Sequence, residues 1–178
     1  MTDQPLLTTE RFELWQPRAG DHRGLHAMLD DSETTRFLGG AAQSESDAFA
    51  RMLRNAGSWA LYGYGTFIVR KKGQDRIVGS CGVFRSHRGF GADLGFDDAV
   101  EAGWIVHRDL WGQGAAREIM RAVLAWFDAR HGKQRIACMI EEGNDASVQV
   151  AHALGFTSVG RHQPDGADRT LLLFRRGQ

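Results

Sequence analysis

The stretch from Gln113 to Arg130 constrains the fold more than any other part of the chain. Its apolar residues recur three or four positions apart along one face, which is the period of an amphipathic helix. His131-Gly132 follows, a cation and a glycine of the kind that ends helices. The pattern therefore predicts a helix with one buried face. The apolar positions are Ala116, Ile119, Met120, Val123, Leu124 and Phe127.

Runs rich in β-branched and aromatic residues flank this helix on both sides. The polar link 71–75 contains glycine and predicts that the strands around it are antiparallel neighbours. The element order indicates a mixed sheet with helices on both faces, in the α/β or α+β class, within one domain spanning 1–178. Asp21 is the predicted N-cap of the first helix. The predicted strands are 12–15, 66–70, 77–84, 100–106, 135–141 and 170–174, and the other helices are 21–31, 44–57 and 144–154.

The charge balance bears on partners and location. The 22 Lys and Arg residues match 22 Asp and Glu residues, so we expect neither nucleic acid nor a membrane as a partner. No apolar run approaches the ~20 residues of a membrane helix, and the short polar segment 1–5 does not resemble a secretory leader. Cys81 and Cys138 lie in predicted strands without C-x-x-C spacing, which favours reduced, buried thiols. Together these features predict a cytoplasmic protein.

A turn of small residues, Trp111-Gly112-Gln113-Gly114-Ala115-Ala116-Arg117, separates the strand that ends at Val106 from the long helix. Small residues let the backbone approach a ligand, and the N–H groups of a first helical turn favour an anion, so a pyrophosphate fits this position. A glycine-shaped turn without a ligand is the open alternative. A dinucleotide or ATP site is disfavoured because neither G-x-G-x-x-G nor G-x-x-x-x-G-K-[ST] is present.

The same turn resembles the pyrophosphate loop of the GNAT superfamily of N-acetyltransferases, written Q/R-x-x-G-x-G/A. Trp111 takes the first place, Gly114 the fourth and Ala116 the sixth. Tryptophan in the first place is similar to the branch that contains the ribosomal-protein N-terminal (alanine or serine) acetyltransferases. Further landmarks of that branch follow in order along nearly the whole chain, at 9–14, 36–40, 101–106, 144–147, 154–156 and 160–161.

The resemblance implies a mostly antiparallel central sheet of roughly six to seven strands. It also implies acetyl-CoA as cosubstrate and no metal. The backbone of Trp104, Ile105 and Val106 would pair with the pantetheine arm of the cofactor, on a strand that must splay from its neighbour. Asn144 would contact that arm as well as cap its helix, or would only cap it. The amides that would hold the pyrophosphate, with the Arg117 guanidinium nearby, belong to Gly112, Gln113, Gly114, Ala115, Ala116 and Arg117.

Acetyl transfer to an amine requires a base, because a primary amine with a pKa of ~8 to ~10 is mostly protonated at neutral pH. Glu101 is the candidate catalytic base, since it lies on the strand that would run beside the thioester; an ion-paired or solvated strand residue is the alternative. Glu141 and His107 are weaker candidates. Many relatives have a Tyr as general acid where this chain has Ala151, so the acid is left open between Ser147, water and none.

Two further groups of residues carry weaker signals. His22 and His26 are spaced to share one helix face, but no third ligand accompanies them, so we expect a surface pair without metal. The loop 85–98 is expected to line an acceptor pocket, and Trp59 to lie in the core.

The sequence therefore predicts an N-acetyltransferase that acts on a small-molecule amine or a protein N-terminus. A non-catalytic acyl-CoA-binding sensor or partner module is the main alternative, because the usual Tyr is missing and the base is uncertain. A nucleotide-binding α/β protein is the third. The identity of the acceptor, the length of the acyl group and the oligomeric state, for which a homodimer is open, cannot be read from the sequence.

Overall fold

The computed structural model describes residues 4–38, 44–90 and 95–177, so the segments 1–5, 36–40 and 85–98 are described only in part. A short 3-10 turn, Arg108–Leu110, lies before the long helix. The strands are β1 (Leu7–Thr8), β2 (Phe12–Trp15), β3 (Thr66–Lys71), β4 (Ile77–Arg85), β5 (Val100–Val106), β6 (Ile136–Glu141), β7 (Thr157–His162) and β8 (Leu171–Arg176). The helices are α1 (Asp21–Leu29), α2 (Ser32–Thr35), α3 (Glu45–Tyr62), α4 (Ala115–His131) and α5 (Asp145–Ala153).

The strands form one sheet in the order β1-β2-β3-β4-β5-β6-β8-β7. β5 and β6 are parallel, whereas the other neighbouring strands, including the predicted β3–β4 pair, are antiparallel. The mixed, mostly antiparallel sheet is therefore confirmed. It has eight strands rather than six or seven. The additional strands gave little signal, because β1 has two residues and β7 is an exposed edge strand without apolar alternation.

Helices cover both faces of the sheet, as the element order predicts. Since side chains alternate along a strand, Val100 and Ala102 of β5 point to one face and Ile105 to the other. Val100 and Ala102 pack in the main core with α4. Ile105 packs against a second cluster that contains Leu25 of α1 and Met52 of α3. The apolar face of α4 is buried as predicted, at Ile119, Met120, Val123, Leu124 and Phe127, with Ala116 partly buried.

The first helix begins and ends differently from the prediction. Its N-cap is Gly20 rather than Asp21, because the Asp21 carboxylate is buried and pairs with Arg70 at 2.5 Å. The helix stops at Leu29 and does not reach residue 31, since the Asp31 side chain accepts the Thr34 amide and caps α2. Asp21 is therefore the first residue of α1 and binds a strand residue with its side chain, and Asp31 belongs to the next helix.

Helix α3 continues beyond the predicted end at Gly57. An interior glycine weakens a helix without ending it, and α3 ends at Gly63, which has a left-handed φ of 75°. Ser44 and Asp47 form a capping box at its start. Neither α3 nor any other helix within the described ranges has the length and apolarity needed to cross a bilayer.

The expectations for the buried cysteines and Trp59 are confirmed. Cys81 and Cys138 are free and buried. Burial raises the pKa of Cys81 to about 12 and also raises that of Cys138, so both side chains remain neutral thiols at neutral pH. Trp59 packs edge-on against Phe67 with ring centres 4.9 Å apart, and its Nε1 donates to the Thr66 carbonyl at 3.1 Å.

Gly82 of β4 lies where β3 passes closest. A Cβ at this position would lie within 3.0 Å of the Gly65 carbonyl and the Thr66 Cα, which are backbone atoms and cannot rotate away. We expect Gly82→Ala to lower the free energy of unfolding by about 2 kcal/mol or more, measured by chemical denaturation.

Gly57→Ala is the matched control, because a methyl group there meets nothing within 4 Å and sits inside α3. This variant should raise the free energy of unfolding by about 0.5 to 1 kcal/mol, as an interior helical glycine is replaced. Equal stability of the two variants would contradict the close approach of β3 and β4.

Candidate active site

The parallel strands β5 and β6 stay together only at their first residues. Val100 pairs with Ile136 and Glu101 pairs with Ala137. Both strands then continue, to Val106 and to residue 141, without further pairing to each other. The splayed strand predicted from the sequence is therefore present, and the sheet opens into a V beyond Glu101.

The register of β5 decides which backbone groups face this opening. The His107 N–H donates to the Val78 carbonyl at 2.9 Å. Since bonded and outward-facing residues alternate along an antiparallel pair, Ile105 directs its backbone to β4, whereas Trp104 and Val106 direct theirs across the gap. Trp104 and Val106 therefore direct backbone groups to the place predicted for a pantetheine arm. Ile105, which was also predicted to pair through its backbone, faces β4 instead and lines the cavity without that pairing.

The turn before α4 leaves amide groups without helical acceptors. Its N-cap is Gly114, which has a φ of 71° and no side chain to cap the helix. Glu118 is the residue whose amide makes the first helical bond, to the Gly114 carbonyl at 3.0 Å. The amides of residues 115–117 precede it, and the helix dipole adds positive potential there. An anion with several oxygen atoms suits this position.

Gln113 differs from its neighbours in the turn. Its amide donates to the Leu110 carbonyl at 3.4 Å, and its side chain donates to the Asp109 carbonyl at 2.7 Å. Its own carbonyl accepts the Arg11 guanidinium at 3.0 Å. Gln113 therefore holds the shape of the turn, and its amide points away from the helix mouth.

Trp111 attaches the turn to the end of β5. Its Nε1 donates to the Val106 carbonyl at 2.8 Å, which satisfies one backbone group at the open edge. Its ring is partly exposed, and the Arg36 guanidinium lies 5.2 Å from the ring centre and 4.7 Å from that of Phe37. Such stacking is a cation–π contact.

A cavity of about 440 Å³ joins these features. Its walls come from the open edge of β5, the turn, the mouth of α4, one side of α5 along its length and the segment 34–38. Of the residues predicted to bind the cofactor, it is lined by Trp104, Ile105, Val106, Gly112, Gly114, Ala115, Ala116, Arg117 and Asn144, and Gln113 does not line it.

The sequence did not predict that segment 34–38 would form a wall of the cavity. Thr34, Arg36, Phe37 and Leu38 line the cavity, although they precede the turn by more than seventy residues. The Thr34 hydroxyl accepts the Arg108 amide at 3.2 Å and so attaches this segment to the end of β5. Only the landmark at 36–40 marked the segment, and it assigned no ligand contact.

Asn144 and Ser147 form the corner where α5 meets β5. Asn144 caps α5, as its Oδ1 accepts the Ser147 amide at 3.2 Å, and its side chain also lines the cavity. The Trp104 indole donates to the Ser147 hydroxyl at 3.3 Å. Ser147 therefore places a hydroxyl group beside the side chain of Trp104, and both residues line the cavity.

Glu101 lies where β5 and β6 separate, on the face opposite to Trp104. It is 4 % exposed. One carboxylate oxygen accepts the Ser86 hydroxyl and Nε of Arg88, the latter at 3.0 Å, and the other accepts a second Arg88 nitrogen. The predicted base is therefore a buried carboxylate in a bidentate ion pair.

The other catalytic candidates occupy different places. His107 follows the end of β5, where its ring accepts the Asp109 amide, and it does not line the cavity. Glu141 is at the open end of β6 and pairs with Arg169 at 3.6 Å. Ala151 is fully buried in the main core and does not line the cavity.

His22, the first of the two histidines of α1, packs against α3. His22 contacts the Phe49 ring edge-on and lies 3.7 Å from the Glu45 carboxylate, both on α3. Within residues 4–38, 44–90 and 95–177, no group of three or more His, Cys, Asp or Glu residues is arranged to hold a metal ion.

The chain matches proteins of known family over most of its length. A family model described as an acetyltransferase (GNAT) domain matches residues 11–157. A structure described as a GNAT-family acetyltransferase from Bordetella pertussis is 30% identical, with a TM-score of 0.84 over 96% of this chain and 98% of that chain. The uncharacterised protein YkkB of Bacillus subtilis is 29% identical over 161 residues, which are 87% of each protein.

A more distant structure shares the fold. It is an acetyl transfer enzyme from Salmonella typhimurium, described as modifying the N-terminal serine of the 50S ribosomal subunit protein L7/L12. Its TM-score is 0.74, each chain covers 98% of the other, and 16% of residues are identical. At that identity the likeness concerns the fold alone.

Gly114 should be required for coenzyme A binding. A side chain at a φ of 71° is strained by about 1 to 3 kcal/mol, and relief of that strain would move the amides at the mouth of α4. We expect Gly114→Val to weaken coenzyme A binding by about ten-fold or more, measured by isothermal titration calorimetry.

Gly132→Val is the control for this experiment, because Gly132 is the positive-φ glycine at the opposite end of the same helix. It should cost stability but leave the dissociation constant of coenzyme A near its wild-type value. Unchanged affinity in Gly114→Val would remove the turn from the binding site.

Proposed function

Because the chain belongs to the GNAT acetyltransferase family, we propose that it transfers the acetyl group of acetyl-CoA to a primary amine. The acceptor is a small-molecule amine or a protein N-terminus. The fold shared with the Salmonella enzyme that modifies a ribosomal protein supports the second of these acceptors.

One observation carries the proposal: the uncapped mouth of α4 and the unpaired edge of β5 face the same cavity. The first offers N–H groups to a diphosphate. The second offers N–H and C=O groups to an arm that contains amides. A nucleotide without such an arm would leave the edge of β5 unsatisfied, so an acyl-CoA suits this cavity better than a dinucleotide or ATP.

Acetyl-CoA supplies the acetyl group as a thioester. In the transfer, the amine nitrogen forms a bond to the acetyl carbon, the carbon–sulfur bond breaks, and the sulfur leaves as a thiolate that gains a proton. The N–H groups of Trp104 and Val106, which face the gap, are suited to stabilise negative charge on the carbonyl oxygen.

We assign the removal of the amine's proton to Glu101. Its carboxylate lies at the point where β5 and β6 part, but both of its oxygen atoms accept bonds from Arg88. The amine has to displace Arg88 or exchange its proton through a water molecule. Ser147, held by the Trp104 indole, is the candidate that protonates the leaving thiolate, and water is the alternative.

The setting of the reaction is also part of the proposal. The two free, buried thiols support a reducing compartment, which is the cytoplasm. The equal numbers of acidic and basic residues support neither nucleic acid nor a membrane as a partner. Whether the protein forms a homodimer is left open, as it was by the sequence.

The proposed activity is tested by thiol release from acetyl-CoA with peptides, amino acids, polyamines and aminoglycosides as acceptors. At least one amine should raise the release rate well above hydrolysis, and mass spectrometry should find one added acetyl group on that amine. If acetyl-CoA raised the melting temperature while no amine was acetylated, the protein would be an acyl-CoA sensor.

Glu101→Gln should lower kcat by about 100-fold, because glutamine cannot accept the proton of the amine. The coenzyme A dissociation constant should stay within about two-fold, since Glu101 does not line the cavity. Glu141→Gln tests the other carboxylate and should change kcat much less. Wild-type rates for Glu101→Gln at every pH, or a selective loss in Glu141→Gln, would exclude Glu101 as the base.

A further inference from the structure

The ion pair of Glu101 lies on the face of β5 opposite to the Trp104 side chain, and neither Glu101 nor Arg88 lines the cavity. Ala137, directly opposite Glu101 on β6, packs with Phe96 and, at its margin, Phe90. The described parts of the loop 85–98 therefore cover this face. Arg88 belongs to the same loop. Residues of this loop therefore pack over the strand beside Glu101 and also provide the cation that pairs with its carboxylate.

The two partners of this pair are unequally exposed. The Glu101 side chain is 5% exposed and that of Arg88 is 38% exposed. The carboxylate is thus held in the interior, whereas the Arg88 side chain reaches solvent. A molecule that approaches the open strands from this face meets Arg88 first.

Other cations lie close to Arg88. The pKa of Arg51 on α3 is lowered, first by burial and then by the positive charges of Arg54 and Arg88. The Arg85 side chain, at the end of β4, donates to the Tyr64 hydroxyl and the Asp98 carbonyl. Arg51 and Arg88 are therefore close enough for their positive charges to interact near the buried carboxylate of Glu101, although Asp47 partly offsets the charge at Arg51.

We propose that the acceptor is a primary amine that also carries a carboxylate near its amino group, either on the same residue or on the side chain of the next one, and that Arg88 is the residue that selects it. The ammonium group meets Glu101, and the acceptor's carboxylate takes over the Arg88 guanidinium. This inference rests on the proposed acetyl transfer. Two sources supply the chemistry: a free α-amino acid, or a peptide N-terminus followed by an acidic residue.

The exchange keeps every charge paired. An acceptor without an anion would separate Arg88 from Glu101 and leave the guanidinium without a counter-ion beside an incoming cation. An acceptor with both charges replaces one ion pair by two. Polyamines bring only positive charge to the region of Arg88, Arg51 and Arg54. The Arg88 guanidinium therefore favours acceptors that carry a carboxylate and disfavours polyamines.

The proton balance is compatible with this arrangement. The ammonium gives one proton to the Glu101 carboxylate, and the neutral amine attacks the acetyl carbon. As the carbon–sulfur bond breaks, the nitrogen loses its second proton, which passes through Ser147 or water to the leaving thiolate and gives a neutral amide and a thiol. Glu101 then returns to its ionised state by losing the proton to water, and Arg88 pairs with it again when the product departs.

The test compares kcat/KM for matched acceptors that differ only in the carboxylate. The pairs are L-amino acids against their amides, and peptides with Asp at the second position against the same peptides with Asn; spermidine is a further acceptor. We expect the carboxylate forms to be preferred by about ten-fold or more, the effect of one charge-assisted bidentate contact. Whichever pair shows the preference identifies the source.

Arg88→Gln should reduce this preference to about one-fold, and Arg88→Lys should restore part of it, because lysine keeps the charge but not the bidentate geometry. Arg176→Gln is the matched control, since Arg176 also forms a bidentate pair, with Asp128. Asp128 lies about 20 Å along α4 from its N-terminus, so the preference should be unchanged.

Equal rates for acids and amides, faster acetylation of spermidine, or a preference that survives in Arg88→Gln would overturn the inference. Calorimetry with coenzyme A present measures the same preference as a ratio of dissociation constants. Amines acetylated without regard to a carboxylate would refute the acceptor class alone. A protein that binds carboxylate acceptors through Arg88 but never acetylates them would refute the proposed function alone.

Discussion

Two parallel strands that pair and then part expose backbone groups in the middle of a sheet. β5 and β6 separate after Glu101, while β4 still holds the other edge of β5 by a regular antiparallel register. Buried N–H and C=O groups without partners are costly. Trp111 already donates to the Val106 carbonyl, so water or a ligand has to satisfy the backbone groups of Trp104 and the N–H group of Val106. The proposed position of coenzyme A follows from this gap, because the α4 mouth and the α5 cap line the same cavity.

The gap also divides the chemistry between the two faces of the sheet. On one face, the turn and the helix mouth offer amides and helix dipole, which suit a diphosphate whose charge needs no side-chain partner. On the other face, the buried carboxylate of Glu101 is balanced by Arg88, a side chain of a covering loop. In the proposed reaction, acetyl-CoA lies in the cavity, the acceptor approaches from the side of Arg88, and the two meet where the strands part.

Prediction from the sequence succeeded where the signal is local. The period of α4 depends on residues within one helix, and the turn from Trp111 to Arg117 depends on small residues beside a helix start. It failed where a longer-range contact competes. The Asp21 carboxylate pairs with Arg70 instead of capping α1. β7 has no apolar pattern of its own, and its place in the sheet depends on pairing with β8.

The sequence by itself determined the order of the longer elements, the buried face of α4, the family resemblance and the turn of small residues before α4, since each depends on neighbours in the chain. Only the tertiary structure decided that Ile105 turns its backbone to β4, that Arg36 stacks on Trp111, and that Arg88 neutralises Glu101. These facts depend on strand register and on contacts between distant segments. A periodic pattern carries no information about either, because it reports which face is buried and not what lies against it.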